Sequence, residues 1–195
     1  DFSTLSFFAD KTITTGEGGM LLTDNVDLIS ECNIYKHDGR RERGVDVIER
    51  KGFNYRLTEL QAAVGVAQLS KAHLFIKNKK KNQKIFKKLL QDISQVKVFD
   101  FNSDGDIIPH RNIIIVPKAK DLITHLVDNG VGARTLFMPM HSQPCYRDTS
   151  LYPVTEKLYK TGVYLPSAPT LTLDQIEYIY KILFKISKDK QKDII

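Results

Sequence analysis

Long apolar runs are missing from this 195-residue chain. The longest are Ile113-Ile114-Ile115-Val116 and Ala62-Ala63-Val64-Gly65-Val66-Ala67, both far short of the roughly 20 residues that cross a bilayer. No membrane partner is expected. The first residues do not set a charged segment ahead of an apolar one, so export is not indicated. Cysteine is scarce as well. Cys32 and Cys145 stand alone, without metal-ligand spacing, so no metal site is expected and a reduced, cytoplasmic setting is the default. Internal repeats and low-complexity stretches are also absent.

What is present is an ordinary globular composition, 42% hydrophobic and 27% charged, in a chain long enough to bury a core. The net charge of +6 owes much to Lys77, Lys79, Lys80, Lys81, Lys84, Lys87 and Lys88. A basic helix of this kind can attract nucleic acid. The arginine and aromatic interleaving of a single-strand binder is lacking, and the lysines read as a solvated helix face.

Along the chain, residues 5–8 and 20–23 predict short strands on either side of a glycine turn. Asp24 or Asn25 can cap a helix over 26–35. Residues 36–51, polar and interrupted by Gly39 and Gly44, predict a long mobile loop. Thr58-Glu59-Leu60-Gln61 is a capping box opening an apolar helix, whose small residues Ala62, Ala63, Gly65 and Ala67 permit close packing. Helical spacing continues over 71–91 as a bridge between two lobes. Strands follow at 96–99 and 112–116, with a turn over 102–106 between them. A helix over 121–129 ends at Gly130, and residues 131–137 read as extended. A short helix over 155–160 and a strand over 163–165 come next. A second capping box, Thr172-Leu173-Asp174-Gln175, opens a last helix with Leu173, Ile176, Ile179, Tyr180, Leu183 and Phe184 on one face. The tail after Ser187 is expected to fray.

Chemistry concentrates in Ser6-Phe7-Phe8-Ala9-Asp10-Lys11 and the Thr15-Gly16-Glu17-Gly18-Gly19 that follows. An ordinary lysine is protonated at neutral pH and a poor nucleophile; to form an imine it must be desolvated or set among polar groups. Phe7 and Phe8 could supply a dry wall, and Ser6 and Thr14 or Thr15 could donate to a phosphate. The lysine precedes the glycines, the reverse of a phosphate-binding P-loop, which argues against nucleotide hydrolysis. Spacing alone favours a surface lysine before a glycine turn.

The whole string resembles the cofactor-lysine motif of the DegT/DnrJ/StrS family of pyridoxal-phosphate-dependent sugar aminotransferases. The likeness continues in order through His37-Asp38-Gly39, Gly52-Phe53-Asn54-Tyr55-Arg56-Leu57, Glu59-Leu60-Gln61-Ala62-Ala63, Pro139-Met140-His141 and Leu165-Pro166-Ser167-Ala168-Pro169. It implies that Lys11 forms the internal aldimine with pyridoxal 5'-phosphate and then serves as general acid and base. It implies also that Ser6 contacts the cofactor phosphate and that Asn54 reaches the same phosphate from a neighbouring subunit of a homodimer. Arg56 falls where a contact to the diphosphate of a sugar nucleotide is expected, with His141 and His37 near the substrate. Lysine at position 11 places the chain on the amino-transfer side of the family, away from the branch that dehydrates with a histidine there. The implied reaction moves an amine from glutamate to a nucleotide-linked keto sugar, by similarity to perosamine-type synthases a 4-keto-6-deoxyhexose.

The implied fold class is α/β, the C-terminal part of a fold-type I pyridoxal-phosphate transferase. Residues 1–67 would end the large cofactor domain, and 68–195 would form a bridging helix and a small α+β domain. Family chains carry a long segment ahead of the lysine motif, with groups facing the cofactor ring, and this piece alone is expected to be inactive. The competing readings are a non-catalytic relative acting through binding, and a basic nucleic-acid-binding module.

Overall fold

A computed structural model describes residues 1–100, 105–146 and 149–189. Most of the expected turn over 102–106 and the end of the basic tail lie outside the described residues. The chain divides into two compact units, Asp1–His73 and Leu74–Ile195.

In the first unit, strands β1 (Ser3–Ser6) and β2 (Gly19–Leu22) pair antiparallel, with Ser6 opposite Gly19. The first strand was expected over 5–8 but ends at Ser6. The Phe7 amide donates to the Gly18 carbonyl at 2.9 Å, and the Phe7 carbonyl accepts from the Thr15 amide at 3.0 Å. Phe7 is thereby committed to the turn and Phe8 lies beyond the ladder. Helix α1 (Val26–Lys36) is capped by Asn25, whose Oδ1 accepts from the amides of Asp27 and Leu28.

The stretch after α1 forms neither helix nor strand, as its composition predicts, but it is stitched down. Arg41 grips Glu49 with two hydrogen bonds of 2.9 Å, Arg50 pairs with Glu31, and the Glu49 amide donates to the Gly39 carbonyl. Helix α2 (Glu59–Leu69) opens on the expected capping box. None of its residues is buried, its Leu60 and Val66 are exposed, as are Leu5, Leu21 and Leu22 of the two strands, and this unit keeps little core of its own beyond Ile34. The chain passes from the first unit to the second within α3 (Ala72–Leu90).

The second unit has a sheet of order β3-β4-β6-β5, antiparallel throughout, from β3 (Lys97–Val98), β4 (Asn112–Ile115), β5 (Arg134–Thr135) and β6 (Gly162–Leu165). Its helices are the second-unit part of α3, α4 (Ala119–Asp128), α5 (Pro153–Thr161) and α6 (Leu173–Lys188). Phe86 and Leu90, Ile114 and Val116, Leu122 and Leu126, Val163 and Leu165, and Ile176 and Leu183 interlock in one core. Alternation in β4, where Asn112 and Ile114 are buried and their neighbours half-buried, follows from the period of two.

The structure departs from the sequence-based expectation at three further places. Within 131–137 only Arg134 and Thr135 join the sheet, because the pairing with Tyr164 and Val163 stops there. On α6 the buried positions are Ile176, Ile179, Ile182, Leu183 and Ile186, while Leu173 is 52% exposed. The lysine run is not a uniformly solvated face either. Lys79 is 6% exposed and donates to the carbonyls of Pro109 at 3.3 Å, His110 at 3.2 Å and Ser167 at 2.9 Å. Lys80 and Lys87 pair with Asp106 and Asp100. A lysine stem long enough to reach three backbone oxygens explains how a cation survives burial. Desolvation first, and the Arg111 charge second, push its pKa below the ordinary lysine range. These commitments leave fewer lysines free for nucleic acid. Among the described residues no helix is long and apolar enough to cross a membrane.

Candidate functional site

The β1–β2 connection, residues 7–18, carries Lys11. It is a closed knot of hydrogen bonds: the Lys11 amide donates to the Phe8 carbonyl, and the Thr14 hydroxyl donates to the Phe7 carbonyl and accepts from the Gly16 amide at 2.9 Å. The buried Thr15 hydroxyl donates to the Glu17 carbonyl at 2.6 Å. Gly16 and Gly18 take φ of 81° and 151°, and a Cβ on Gly18 would lie 2.5 Å from the Thr15 Oγ1 and 3.1 Å from Leu57. The threonines that the sequence offered as phosphate donors are thus engaged in holding the turn. Lys11 itself is exposed and Phe8 is 46% exposed, so within this unit the two phenylalanines do not form the expected dry wall. Ser6 Oγ accepts only a long 3.4 Å contact from the Phe8 amide, which leaves its O–H to donate elsewhere.

A second arrangement joins the end of α1 to residues 52–56. His37 bridges to Asn54, and the amides of Asp38, Phe53 and Tyr55 donate to the carbonyls of Phe53, Tyr35 and Lys36. The two segments touch where only glycine fits. A Cβ on Gly39 would lie 1.8 Å from the Arg50 carbonyl oxygen, and one on Gly52 would lie 2.1 Å from the Gly39 nitrogen. This clasp brings together three residues that the sequence singled out separately: His37, Asn54 and Arg56. The Arg56 Nε donates to Asn54 Oδ1 at 2.9 Å, and its Nη2 donates to Asp38 Oδ2 at 3.2 Å. In sequence Asp38 stands out only as part of the His37-Asp38-Gly39 string; an acidic residue beside a glycine, 18 positions before an arginine, offers no local sign of its partner.

Leu57, against Gly18, and Gln61, whose amide donates to the Glu17 carbonyl at 3.1 Å, tie the segment following Arg56 to the turn that bears Lys11. An apolar hollow of about 240 Å³ lies there, lined by Phe7, Ile13, Met20, Leu57 and Val66, and Lys11 is not on its wall.

His141 belongs to the second unit, on a single 3-10 turn (Met140–Ser142) that the sequence reading did not resolve. Its Nε2 faces the Glu156 carboxylate at 3.5 Å and its ring lies 4.8 Å from that of Tyr152. Glu156 sits in the first turn of α5, a helix opened by Pro153.

As a donor set, the Ser6 hydroxyl, the Asn54 amide nitrogen and the Lys11 amine suit a phosphate-bearing aldehyde. Arg56 occupies Asn54 Oδ1, so the Nδ2 donors are left for an anion.

The sequence matches the DegT/DnrJ/EryC1/StrS aminotransferase family over residues 1–184. Curated relatives include GDP-perosamine synthase of Escherichia coli O157:H7, 35% identical over 97% of this chain and 53% of that protein. GDP-perosamine synthase of Vibrio cholerae is 32% identical over 92% of this chain and 51% of that protein. Among solved structures, Helicobacter pylori PseC, an aminotransferase involved in the biosynthesis of pseudoaminic acid, superposes with a TM-score of 0.85. It is 22% identical, over 94% of this chain and 52% of that one. S. venezuelae DesV gives 0.87 at 22% identity, over 96% and 52%. The chain spans about half the length of the curated relatives it matches, and it has the α/β fold of the corresponding part of those structures.

Proposed function

The chain belongs to the DegT/DnrJ/EryC1/StrS aminotransferase family, and on that premise we propose that it forms part of a pyridoxal-phosphate-dependent enzyme that aminates a nucleotide-linked keto sugar. Glutamate is the proposed amine donor and a 4-keto-6-deoxyhexose the proposed acceptor, by likeness to the perosamine synthases. A homodimer with shared sites, working in the cytoplasm, completes the reading.

Pyridoxal phosphate, when bound, supplies a reactive carbonyl and an electron sink. In this reading the chain's own residues supply the rest. The Ser6 hydroxyl and Asn54 Nδ2 donate to the phosphate, Asn54 from the partner subunit. Lys11 Nζ holds the cofactor and afterwards takes and returns the proton at the reacting carbon. Arg56 binds the diphosphate of the sugar nucleotide, a task that suits a planar guanidinium. His141 and His37 orient the sugar.

One observation carries the reading: in a chain matching the family along nearly its whole length, Lys11 is exposed on a turn whose backbone is fixed by Phe7, Thr15 and Gly18. The test is chemical labelling. Pyridoxal phosphate followed by borohydride reduction and peptide mass spectrometry should place the label on Lys11, and Lys11→Ala should lose it. A label confined to the lysines between 77 and 88, with Lys11 untouched, would refute the proposal.

A further inference from the structure

Asp38 is the one non-glycine among the described residues with a left-handed backbone, φ 58°. Asparagine and aspartate enter that region more readily than other side chains, but still at some cost. The conformation is imposed by the clasp. The Asp38 amide is bonded to the Phe53 carbonyl at 2.9 Å, and Gly39 and Gly52 press the two segments together too closely for a Cβ. What the clasp achieves is to deliver the Asp38 carboxylate to Arg56.

The geometry at Arg56 is specific. Nε and the adjoining hydrogen of Nη2 form one edge of the guanidinium, and that edge is taken by Asn54 Oδ1 and Asp38 Oδ2. These two bonds leave uncommitted the terminal edge, made by Nη1 and the second hydrogen of Nη2. Two parallel donors on that edge match two oxygens of a phosphate. The Asp38–Arg56 pair is about two-fifths exposed on each side, where an ion pair adds little to stability. Stability is therefore a poor reason for holding Asp38 in a costly conformation, whereas orientation is a good one.

We infer that Asp38 is a positioning residue: with Asn54 it fixes the Arg56 guanidinium so that its terminal edge forms a fork for the diphosphate of a nucleoside-diphosphate substrate. The inference rests on the reading of Arg56 given above. Asp38 touches no substrate and acts only through Arg56.

A plain counter-ion and a positioning residue give opposite signs. Removing a counter-ion takes a negative charge from beside an anion site and tightens binding. Removing a positioning residue loosens the fork and weakens binding despite the gain in positive charge.

Inorganic pyrophosphate titrated calorimetrically into the chain at fixed ionic strength is the probe. Asp38→Ala should weaken binding on the order of five-fold, while Asp38→Asn, which keeps an acceptor, should stay within about two-fold of the unaltered chain. Tighter or unchanged binding in Asp38→Ala overturns the inference, as does a lack of saturable binding by the unaltered chain. Arg56→Gln tests the underlying reading separately. If it binds pyrophosphate as well as the unaltered chain, Arg56 is not the diphosphate residue, whatever Asp38 does. Without any ligand, nitrogen NMR of the Arg56 side chain should show two distinct Nη signals that merge in Asp38→Ala as the guanidinium begins to rotate. Signals that stay distinct would also overturn the positioning role.

Discussion

The Gln61 side-chain amide donates to the Glu17 carbonyl at 3.1 Å, joining residues 44 apart in the chain. The same side chain accepts from the Thr58 amide through Oε1 at 3.0 Å, so one glutamine both caps α2 and anchors the turn that carries Lys11. The two roles use different atoms and can be separated. Gln61→Glu keeps the capping oxygen and loses the donor to Glu17. Its expected effect is faster hydrogen exchange at the turn amides of Phe7 and Thr15, with α2 protection retained. Gln61→Ala should lose both, at a cost of about 1 kcal/mol in chemical denaturation. Unchanged turn exchange in Gln61→Glu would show that the long-range bond does not hold the turn.

Gly52→Ala should be among the costliest single methyl additions in the first unit. Its Cβ would fall 2.1 Å from the Gly39 nitrogen, a backbone atom in a clasp closed on both sides. The expected loss is about 1–3 kcal/mol, with separation of His37 from Asn54 visible in amide shifts of both segments. Gly44→Ala is the control: nothing lies within 4 Å of its Cβ, although its φ of 81° still disfavours alanine.

Lys79→Met should destabilise the second unit by about 1–3 kcal/mol, because it strands the carbonyls of Pro109 and Ser167 in the interior. Its pH signature has a fixed sign. The folded-state pKa is depressed, so between the folded and unfolded values the unfolded chain binds more protons at this site. That contribution makes the unaltered chain gain stability as pH rises through the alkaline window below the ordinary lysine value. Lys79→Met lacks it, so the gap in stability between the two proteins should widen with rising pH there. A gap independent of pH would mean that Lys79 titrates normally.

The Arg41–Glu49 fork closes the polar loop after α1. Hydrogen bonding to Arg41 is the main cause that holds the Glu49 carboxyl below its ordinary pKa. The sign is that of a depressed acid: the loop-closing contribution is present above the unfolded value and is lost as pH falls through the folded one. Glu49→Gln at neutral pH should therefore mimic acid. The expected readout is faster limited proteolysis at Arg41, Arg43 and Arg50 in the variant, and a smaller further acceleration than in the unaltered chain when pH is lowered through the carboxylate range, since the Arg50–Glu31 pair remains.

Capping boxes, glycine turns and periodicity made most elements legible. Thr58 with Gln61 and Thr172 with Gln175 announced α2 and α6, because a cap is satisfied within four residues and needs no distant partner. The edges that slipped were those decided by distant groups. Phe7 left β1 because Gly18 and Thr15 claimed its backbone, and β5 is two residues long because its pairing with β6 reaches only Tyr164 and Val163. Lys79 read as solvated since nothing in a lysine run says which member will meet three carbonyls from residues 30 to 88 positions away.

By itself the sequence determined the family: a lysine beside a glycine turn, an Asn-Tyr-Arg string and a Pro-Met-His string stand in an order that matches the DegT/DnrJ/EryC1/StrS aminotransferase family over residues 1–184. Those are local facts, written in residue type and spacing. Only the tertiary structure decided that Asp38 meets Arg56, that Gln61 holds the turn of Lys11, and that the threonines beside Lys11 serve the backbone. The first two depend on segments brought together from afar, 18 and 44 positions apart, whereas the threonine bonds close within the turn itself. The meeting of Asp38 and Arg56 is set by backbone closure at Gly39 and Gly52, where a single Cβ would have kept the two segments apart.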